Sequence, residues 1–274
     1  MVFVNTGHHD GNPAVADIAY LARSEHRIPT LVALTERPRS RSELCESTGV
    51  SSSTMRRTLD EFDDRHWIRK DGYRYMATRL GEAIASGMED LIERVETERK
   101  LRHVWHWLPD AIGEFPFETW SELTVTVAEP DAPYRPVGRF ESLLRETTTL
   151  RFLRPEVALM DPCFDALHQL IDAGVDMTLI DRRECHTYFL STYPERSSEM
   201  MQRDNFTVLE HDDLLPYGLG LLDECVTISC YEQDSGTVHA LIDTDAPAVR
   251  EWAESVYETY RSGARRVEPR TSVE

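Results

Sequence analysis

Lysine is nearly missing from this chain: only Lys70 and Lys100 occur, so almost all of its 30 basic residues are arginine. Long apolar runs are missing too. None approaches the roughly 20 residues that a membrane-spanning helix needs, and the opening MVFVNTGHHDGNP has neither the basic head nor the apolar centre of a secretory signal. A cytoplasmic protein is expected. The five cysteines, Cys45, Cys163, Cys185, Cys225 and Cys230, form no CxxC pair. They read as small buried hydrophobes, with a redox-sensing thiol as the alternative. Cys185-His186 offers too little for zinc, which needs three or four ligands. No Walker loop and no GxSxG is present, and Gly218-Leu219-Gly220 is too short for a dinucleotide fingerprint. No catalytic residue, metal or cofactor is assigned.

What the chain has in excess is acid. Its 49 carboxylates set a net charge of -19 and a pI near 4.9. A carboxylate-rich surface with little lysine resembles that of halophilic archaeal proteins; an ordinary acidic bacterial protein is the alternative. At molar salt the Debye length is only ~3 Å. Long-range attraction to a polyanion is then weak, and short-range contacts must supply the binding. The 274 residues leave room for about two domains.

The most informative stretch is 39–76, which reads as two short helices, a tight turn and a wing. Gly49 can take a positive φ and so end the first helix. Ser51 is the expected N-cap of the second, in which Met55, Leu59, Phe62 and His66 recur at helical spacing as a buried stripe. Opposite them lie Ser52, Ser53, Arg56, Arg57 and Asp60. Small hydroxyls at a helix start let the backbone approach DNA, and arginines reach guanine edges or phosphates. Beyond Trp67-Ile68, Asp71-Gly72 between two extended segments signals a hairpin that carries Lys70, Tyr73 and Arg74. From 28 to 80 there are ten basic residues against eight acidic, a local excess of positive charge inside a strongly negative chain. The predicted DNA-binding set is Arg39, Arg41, Ser51, Ser52, Ser53, Thr54, Arg56, Arg57, Lys70, Tyr73 and Arg74. The recognition helix spans 51–65 and lies in a major groove; the wing spans 68–76 and meets backbone or minor groove. A winged helix used only for protein assembly is the competing reading.

Around this motif the spacing predicts a first helix over 14–24, with Val15, Ile18, Ala19 and Ala22 on one face, and a second starting at Pro29. Thr78 caps a long helix in which Leu80, Ile84, Met88, Leu91 and Val95 approach a heptad, the pattern of a dimer seam or of packing on its own domain. Residues 128–136, with three prolines, read as a linker after a strand at 123–127. Then come a helix over 139–149, a strand over 156–160, and a helix capped by Asp161-Pro162 and stopped by Gly174. A buried strand follows over 175–180, a helix over 194–203, strands at 206–209, 217–222, 226–231 and 237–242, and a closing helix over 247–261. Asp234-Ser235-Gly236 should turn the last hairpin, with Val238, Ala240 and Ile242 facing Val226, Ile228 and Cys230. The fold class is mixed α+β. Its predicted parts are a flexible arm (1–13), a winged helix-turn-helix domain (14–80), a connecting, dimerising helix with linker (81–137), a C-terminal α/β sensing or assembly domain (138–262) and a disordered tail (263–274).

The richest polar cluster of the second half, Asp181-Arg182-Arg183-Glu184-Cys185-His186, follows a predicted central strand. Carboxyl ends of strands are where open α/β sheets bind ligands. Asp161, Asp181, Arg182, Arg183 and His186 are therefore the candidate effector site, with an exposed ion-paired loop as the alternative. Residues 38–84 and 215–261 together resemble archaeal winged-helix transcription regulators, of the family whose domain was first described in the methanogenesis regulator FilR1, loosely related to TrmB-type regulators. The resemblance implies a homodimeric DNA-binding regulator whose C-terminal domain looks like a phospholipase D type of α/β fold without its chemistry. In place of the catalytic His-x-Lys, His186 is followed two residues later by Tyr188. The expected partners are double-stranded DNA, a second copy and a small effector, with no membrane. An enzyme with a fused winged helix is the alternative.

Overall fold

The computed structural model describes residues 12–232 and 235–268. The predicted arm before Asn12, the tail after 268 and Asp234 of the expected hairpin lie outside them. The chain divides into two compact units, the first ending at Val95 and the second beginning at Glu96.

In the first unit, α1 (Pro13–Ala22) and α2 (Arg27–Glu36) precede a short β1 (Arg39–Ser40). α3 (Arg41–Thr48) and α4 (Ser52–Asp64) follow, then the hairpin of β2 (Ile68–Asp71) and β3 (Arg74–Ala77), and finally α5 (Arg79–Leu101). The caps expected at Gly49 and Ser51 are in place, and the structure adds one at Ser40. Ser40 and Glu43 form a reciprocal capping box on α3, Gly49 closes that helix at φ 72°, and Ser51 Oγ accepts from Thr54 N to open α4. β1, β3 and β2 make a three-stranded sheet in that order. The core is Leu21, Leu31, Leu34, Leu44, Met55, Leu59, Phe62 and Trp67.

Two sequence expectations fail here. His66 is not part of the buried stripe: α4 stops at Asp64, and His66 is exposed in the left-handed region at φ 57°. The chain turns there so that Trp67 and Ile68, not His66, enter the core. On α1 only Leu21 is buried, while Val15 and Ile18 remain exposed. Thr78 bridges wing and α5 by donating to the His66 and Trp67 carbonyls and accepting from Gly81 N. A Cβ on Gly81 would lie 1.9 Å from the Trp67 carbonyl oxygen, so only glycine lets α5 seat on the wing this closely.

In the second unit, two 3-10 turns and α6 (Phe117–Ser121) lead to β4 (Thr124–Val127), α7 (Arg135–Glu146), β5 (Thr149–Arg154), α8 (Phe164–Asp172) and β6 (Asp176–Asp181). Next are α9 (Arg183–Thr192), α10 (Pro194–Met201), β7 (Phe206–Glu210), β8 (Gly218–Leu222), β9 (Cys225–Tyr231), β10 (Val238–Thr244), α11 (Pro247–Gly263) and β11 (Arg265–Arg266). One eight-stranded sheet runs β11-β7-β6-β5-β8-β9-β10-β4. Its β5-β6-β7 segment is parallel and its other pairings antiparallel. α7 to α10 cover one face, with Phe140, Phe152, Leu167, Met177 and Leu179 in that layer. α11 and the 101–123 segment cover the other, with Val226, Ile228, Ile242, Val249, Ala253 and Tyr257.

The errors of the sequence reading cluster where this sheet turns from antiparallel to parallel. The strand expected over 156–160 is a turn. The true strand is Thr149–Arg154, in the gap between the helix expected over 139–149 and that expected strand. Residues 128–136 do not link domains, because β4 before them pairs with β10 of the same sheet. Asp161 caps nothing: its carboxylate accepts from Tyr188 and Tyr193 hydroxyls instead. The polar 181–193 run is not a loop but the end of β6 followed by α9. The tail is ordered as far as Val267, since Arg265 and Arg266 pair with Glu210 and Leu209 on β7. A bulge between Val238 and Ala240 turns Val238 away from Ala240 and Ile242 to the opposite face.

Asp223, in the β8–β9 turn, ties that turn to β5. It sits at φ 48°, a conformation that a short polar side chain tolerates. Its carboxylate accepts from the backbone and hydroxyl groups of Thr148 and Thr149. Burial would raise its pKa, but these four bonds outweigh it and hold the group at about 2. A depressed carboxylate contributes stability above its unfolded pKa, near 4, and loses it as pH falls through the folded value. The second unit is therefore expected to lose stability between pH ~4 and about 2. In urea titrations followed at several pH values, Asp223→Asn should be weaker at pH 7 and flatter across that window. An unchanged slope would show that Asp223 does not set it.

Candidate functional site

The residues expected to meet nucleic acid occupy one continuous part of the first unit, but not with equal freedom. α4 is fixed from behind. His26 Nε2 lies 3.0 Å from Thr58 Oγ1, while Arg65 bonds Asp17 and Glu61 and lies over the Tyr20 ring. Burial, followed by the charges of Arg27 and Arg57, lowers the His26 pKa, so its ring is neutral at pH 7. With its inner face so held, α4 exposes Ser52, Ser53, Arg56 and Arg57. Ser51 Oγ is committed to capping and also lies 3.0 Å from the Ser53 and Thr54 hydroxyls. Arg56 stands 3.7 Å from Asp60, both side chains about two-thirds exposed, an association easily given up. Arg57 has no hydrogen bond or ion pair among the described residues and is exposed.

The wing is a two-residue hairpin, Asp71 pairing with Arg74 across Gly72-Tyr73. Gly72 takes φ 58° at the first central position, the one that a primed turn reserves for glycine. Tyr73 stands at the tip, 92% exposed. The registers Arg39↔Tyr75 and Lys70↔Tyr75 put Arg39, Tyr75 and Lys70 on one face, with the Lys70 ammonium 5.6 Å from the Tyr75 ring centroid. Arg69 and Arg74 alternate to the other face.

Arg39, though on that face, is occupied: its guanidinium donates to the Ala33 carbonyl and to Glu36, and its side chain is 16% exposed. Arg74 donates to the Pro38 carbonyl and lies 3.9 Å from Glu43. Glu43 is fully ionised at neutral pH, because the Ser40 amide above all holds its pKa at about 2. Arg41 is exposed at the first position of α3. The sequence reading passed over Arg69, which is exposed on β2 and has no ion pair among the described residues. Its place one residue before Lys70 in a strand was the signal for it.

In the second unit the five candidate effector residues separate into four arrangements. Arg154, Asp181 and Glu210 stand in register across the carboxyl ends of β5, β6 and β7. Arg154 and Asp181 form a buried bidentate ion pair, 2.9 and 2.5 Å, with the guanidinium 4.3 Å from the Phe189 ring centroid. Glu210 gathers Arg183 at 2.6 Å, His186 Nε2 at 3.3 Å and Arg265 at 2.8 Å. Arg182 turns instead to the Leu214 and Leu215 carbonyls. Asp161, bonded to its two tyrosines, belongs to neither group.

Arg154 and Glu210, the partners that organise the cluster, were missed because β5 was misplaced and β7 was ended one residue early. A cavity beside Arg154 and His186, lined otherwise mainly by Phe164, Leu179, Phe189, Met200 and Phe206, measures about 30 Å³. Small-molecule pockets run to roughly 300–1,000 Å³. Burial pushes the Cys163, Cys185 and Cys230 thiols up to about 12 and Cys225 to about 11, so none is a ready thiolate. Among the described residues no group of three or more His, Cys, Asp or Glu is placed to hold a metal ion, and no helix is long and apolar enough to cross a membrane.

Residues 15–100 match the family model of the HVO_A0261 N-terminal domain, and residues 133–263 match that of the middle domain of the methanogenesis regulatory protein FilR1. No curated protein matches. Among solved structures, TrmBL2, an archaeal chromatin protein with a novel mode of DNA binding, is 12% identical over 94% of this chain and 100% of its own, at a TM-score of 0.43. NucT from Helicobacter pylori is 11% identical over 53% of this chain and 98% of its own, at 0.41. Likenesses this distant carry no argument about function.

Proposed function

We propose that this chain, which matches the HVO_A0261 N-terminal domain and the middle domain of the methanogenesis regulatory protein FilR1, is a sequence-specific DNA-binding transcription regulator. One observation supports this above the rest: α4 turns a hydroxyl-lined N-terminal turn and an unpaired Arg57 outward from a helix clamped on its other side. In this reading Ser52, Ser53, Arg56 and Arg57 read the major groove, and Arg41, Arg69, Lys70 and Tyr73 meet the backbone or minor groove. Arg39 supports the wing from within. Recognition would be carried by short contacts, since the whole chain repels DNA at a net charge of -19.

The second unit senses an effector or mediates assembly. Its Arg154–Asp181 pair and Glu210 cluster leave little free charge, so an effector there would have to displace one of these pairs. The regulator acts as a homodimer. α5 buries Ala85 and Met88 against its own unit yet leaves Leu80, Ile84, Leu91 and Val95 exposed, an apolar stripe of the kind that two copies cover for each other.

The test is retention of fragments of the source genome by the purified chain in molar KCl. Selective retention of a few promoter fragments supports the reading and yields the operator. Uniform or absent retention across all fragments would remove sequence-specific regulation and leave assembly as the role.

A further inference from the structure

The Arg154 and Glu210 clusters hold their charges in pairs, but the same end of the sheet carries a cleft of different chemistry. β8 runs antiparallel to β5, with Leu153 opposite Leu219, and β9 runs antiparallel to β8, with Gly218 opposite Ser229. The start of β8 and the end of β9 therefore lie beside the carboxyl end of β5, the side on which open α/β sheets bind ligands. There residues 106–110, Pro216, Tyr217 and the end of β9 line a cleft of about 250 Å³. Small-molecule pockets begin at roughly 300 Å³, so this one suits a compact ligand.

Its walls are fixed in advance. Trp107 stacks on His239 of β10 with ring centroids 3.7 Å apart, and His106 lies 3.4 Å from the Trp107 centroid. Two imidazoles this close to one centroid must take opposite faces, so the indole is clamped. Cys230 Sγ lies 3.9 Å from the Trp107 carbonyl oxygen and holds that segment to β9. Pro109, at φ -55°, and Pro216 restrict the backbone of the lining.

The charge of the cleft is of one sign. Asp110 is its only carboxylate, and no lysine or arginine is among the described residues that line it. Asp110 is exposed and has no side-chain hydrogen bond or ion pair among the described residues, unlike Asp161, Asp181 and Glu210. Tyr217 stays a neutral phenol, because burial first, and then Tyr260 and Asp110, push its pKa up to about 12. An anion would meet the Asp110 carboxylate with no cation to answer it. A hard metal ion would need six or more oxygen ligands. We propose that this cleft binds a small organic cation of the alkylated-ammonium class, its charge beside Asp110 and its methyl groups against Tyr217 and the clamped Trp107. Such a ligand is the effector that the second unit would sense, and the assignment rests on that reading.

The test is titration of the full chain with tetramethylammonium chloride at constant total chloride, followed by tryptophan fluorescence and calorimetry. Glucose and sodium acetate serve as neutral and anionic controls. Saturable binding of tetramethylammonium alone is expected. Asp110→Asn should keep the urea midpoint and weaken binding by about 5-fold or more. Tyr217→Leu should weaken it as well, while Tyr217→Phe, which keeps the ring, should not. Absence of saturation would overturn the proposal. So would saturation by glucose or acetate, or unchanged affinity in both Asp110→Asn and Tyr217→Leu. None of these titrations contains DNA, so a chain that binds tetramethylammonium yet retains no promoter fragment would keep this site and lose the regulator reading.

Discussion

Arg57→Ala is expected to weaken binding to the cognate operator by about 1–3 kcal/mol, a loss of roughly 5- to 150-fold, with little change for unrelated DNA. Arg57 is exposed and has no protein partner among the described residues to lose, so the folded chain should keep its urea midpoint. That combination, a large binding loss with no stability loss, is what a base-reading side chain produces. Arg56→Ala should do less, because part of its charge is already answered by Asp60 at 3.7 Å. Arg69→Ala on the wing should act differently. If it meets phosphate, affinity falls about equally for every sequence and the salt slope drops by about 1. Titrations of each variant against operator and random duplex, at several KCl concentrations, distinguish the two patterns. An Arg57→Ala chain that holds its operator as tightly as the parent would take α4 out of the recognition role assigned to it.

The second large effect is on stability. Arg154→Met should destabilise the second unit by about 3–5 kcal/mol, since it leaves the Asp181 carboxylate buried at 0% exposure without its counter-charge. Adding Asp181→Leu should recover much of that loss, because an apolar pair of similar volume needs no desolvation of charge. The comparison to make is the urea midpoint of the single and double variants at pH 7. Failure of the second substitution to restore stability would mean that the pair holds the carboxyl ends of β5 and β6 in register in a way that apolar packing cannot replace.

How much could be read in advance differed sharply between the two units. In the first, local chemistry decides structure: Gly49, Ser51, Thr78 and the Asp71-Gly72 turn each do in three dimensions what their residue types demand. The two failures there, His66 and the face of α1, are places where periodicity alone could not say where a helix ends or which side finds a neighbour. In the second unit the reading lost β5, because TLRFLR carries arginines that look solvent-facing. Arg154 can lie inside only because Asp181, 27 residues on and brought beside it by the parallel pairing, answers its charge.

By itself the sequence determined the winged helix, the acidic character, the outward arginines of α4 and the absence of catalytic signatures, since each rests on neighbours within a turn or a hairpin. Only the tertiary structure decided which of those arginines are free and that Glu210, not Asp161, is the centre of the second polar cluster. It also decided that four of the five apolar residues in the α5 stripe stay uncovered. These depend on groups far apart in the chain, and on which face of an element another element happens to cover. No spacing rule along the sequence contains that information.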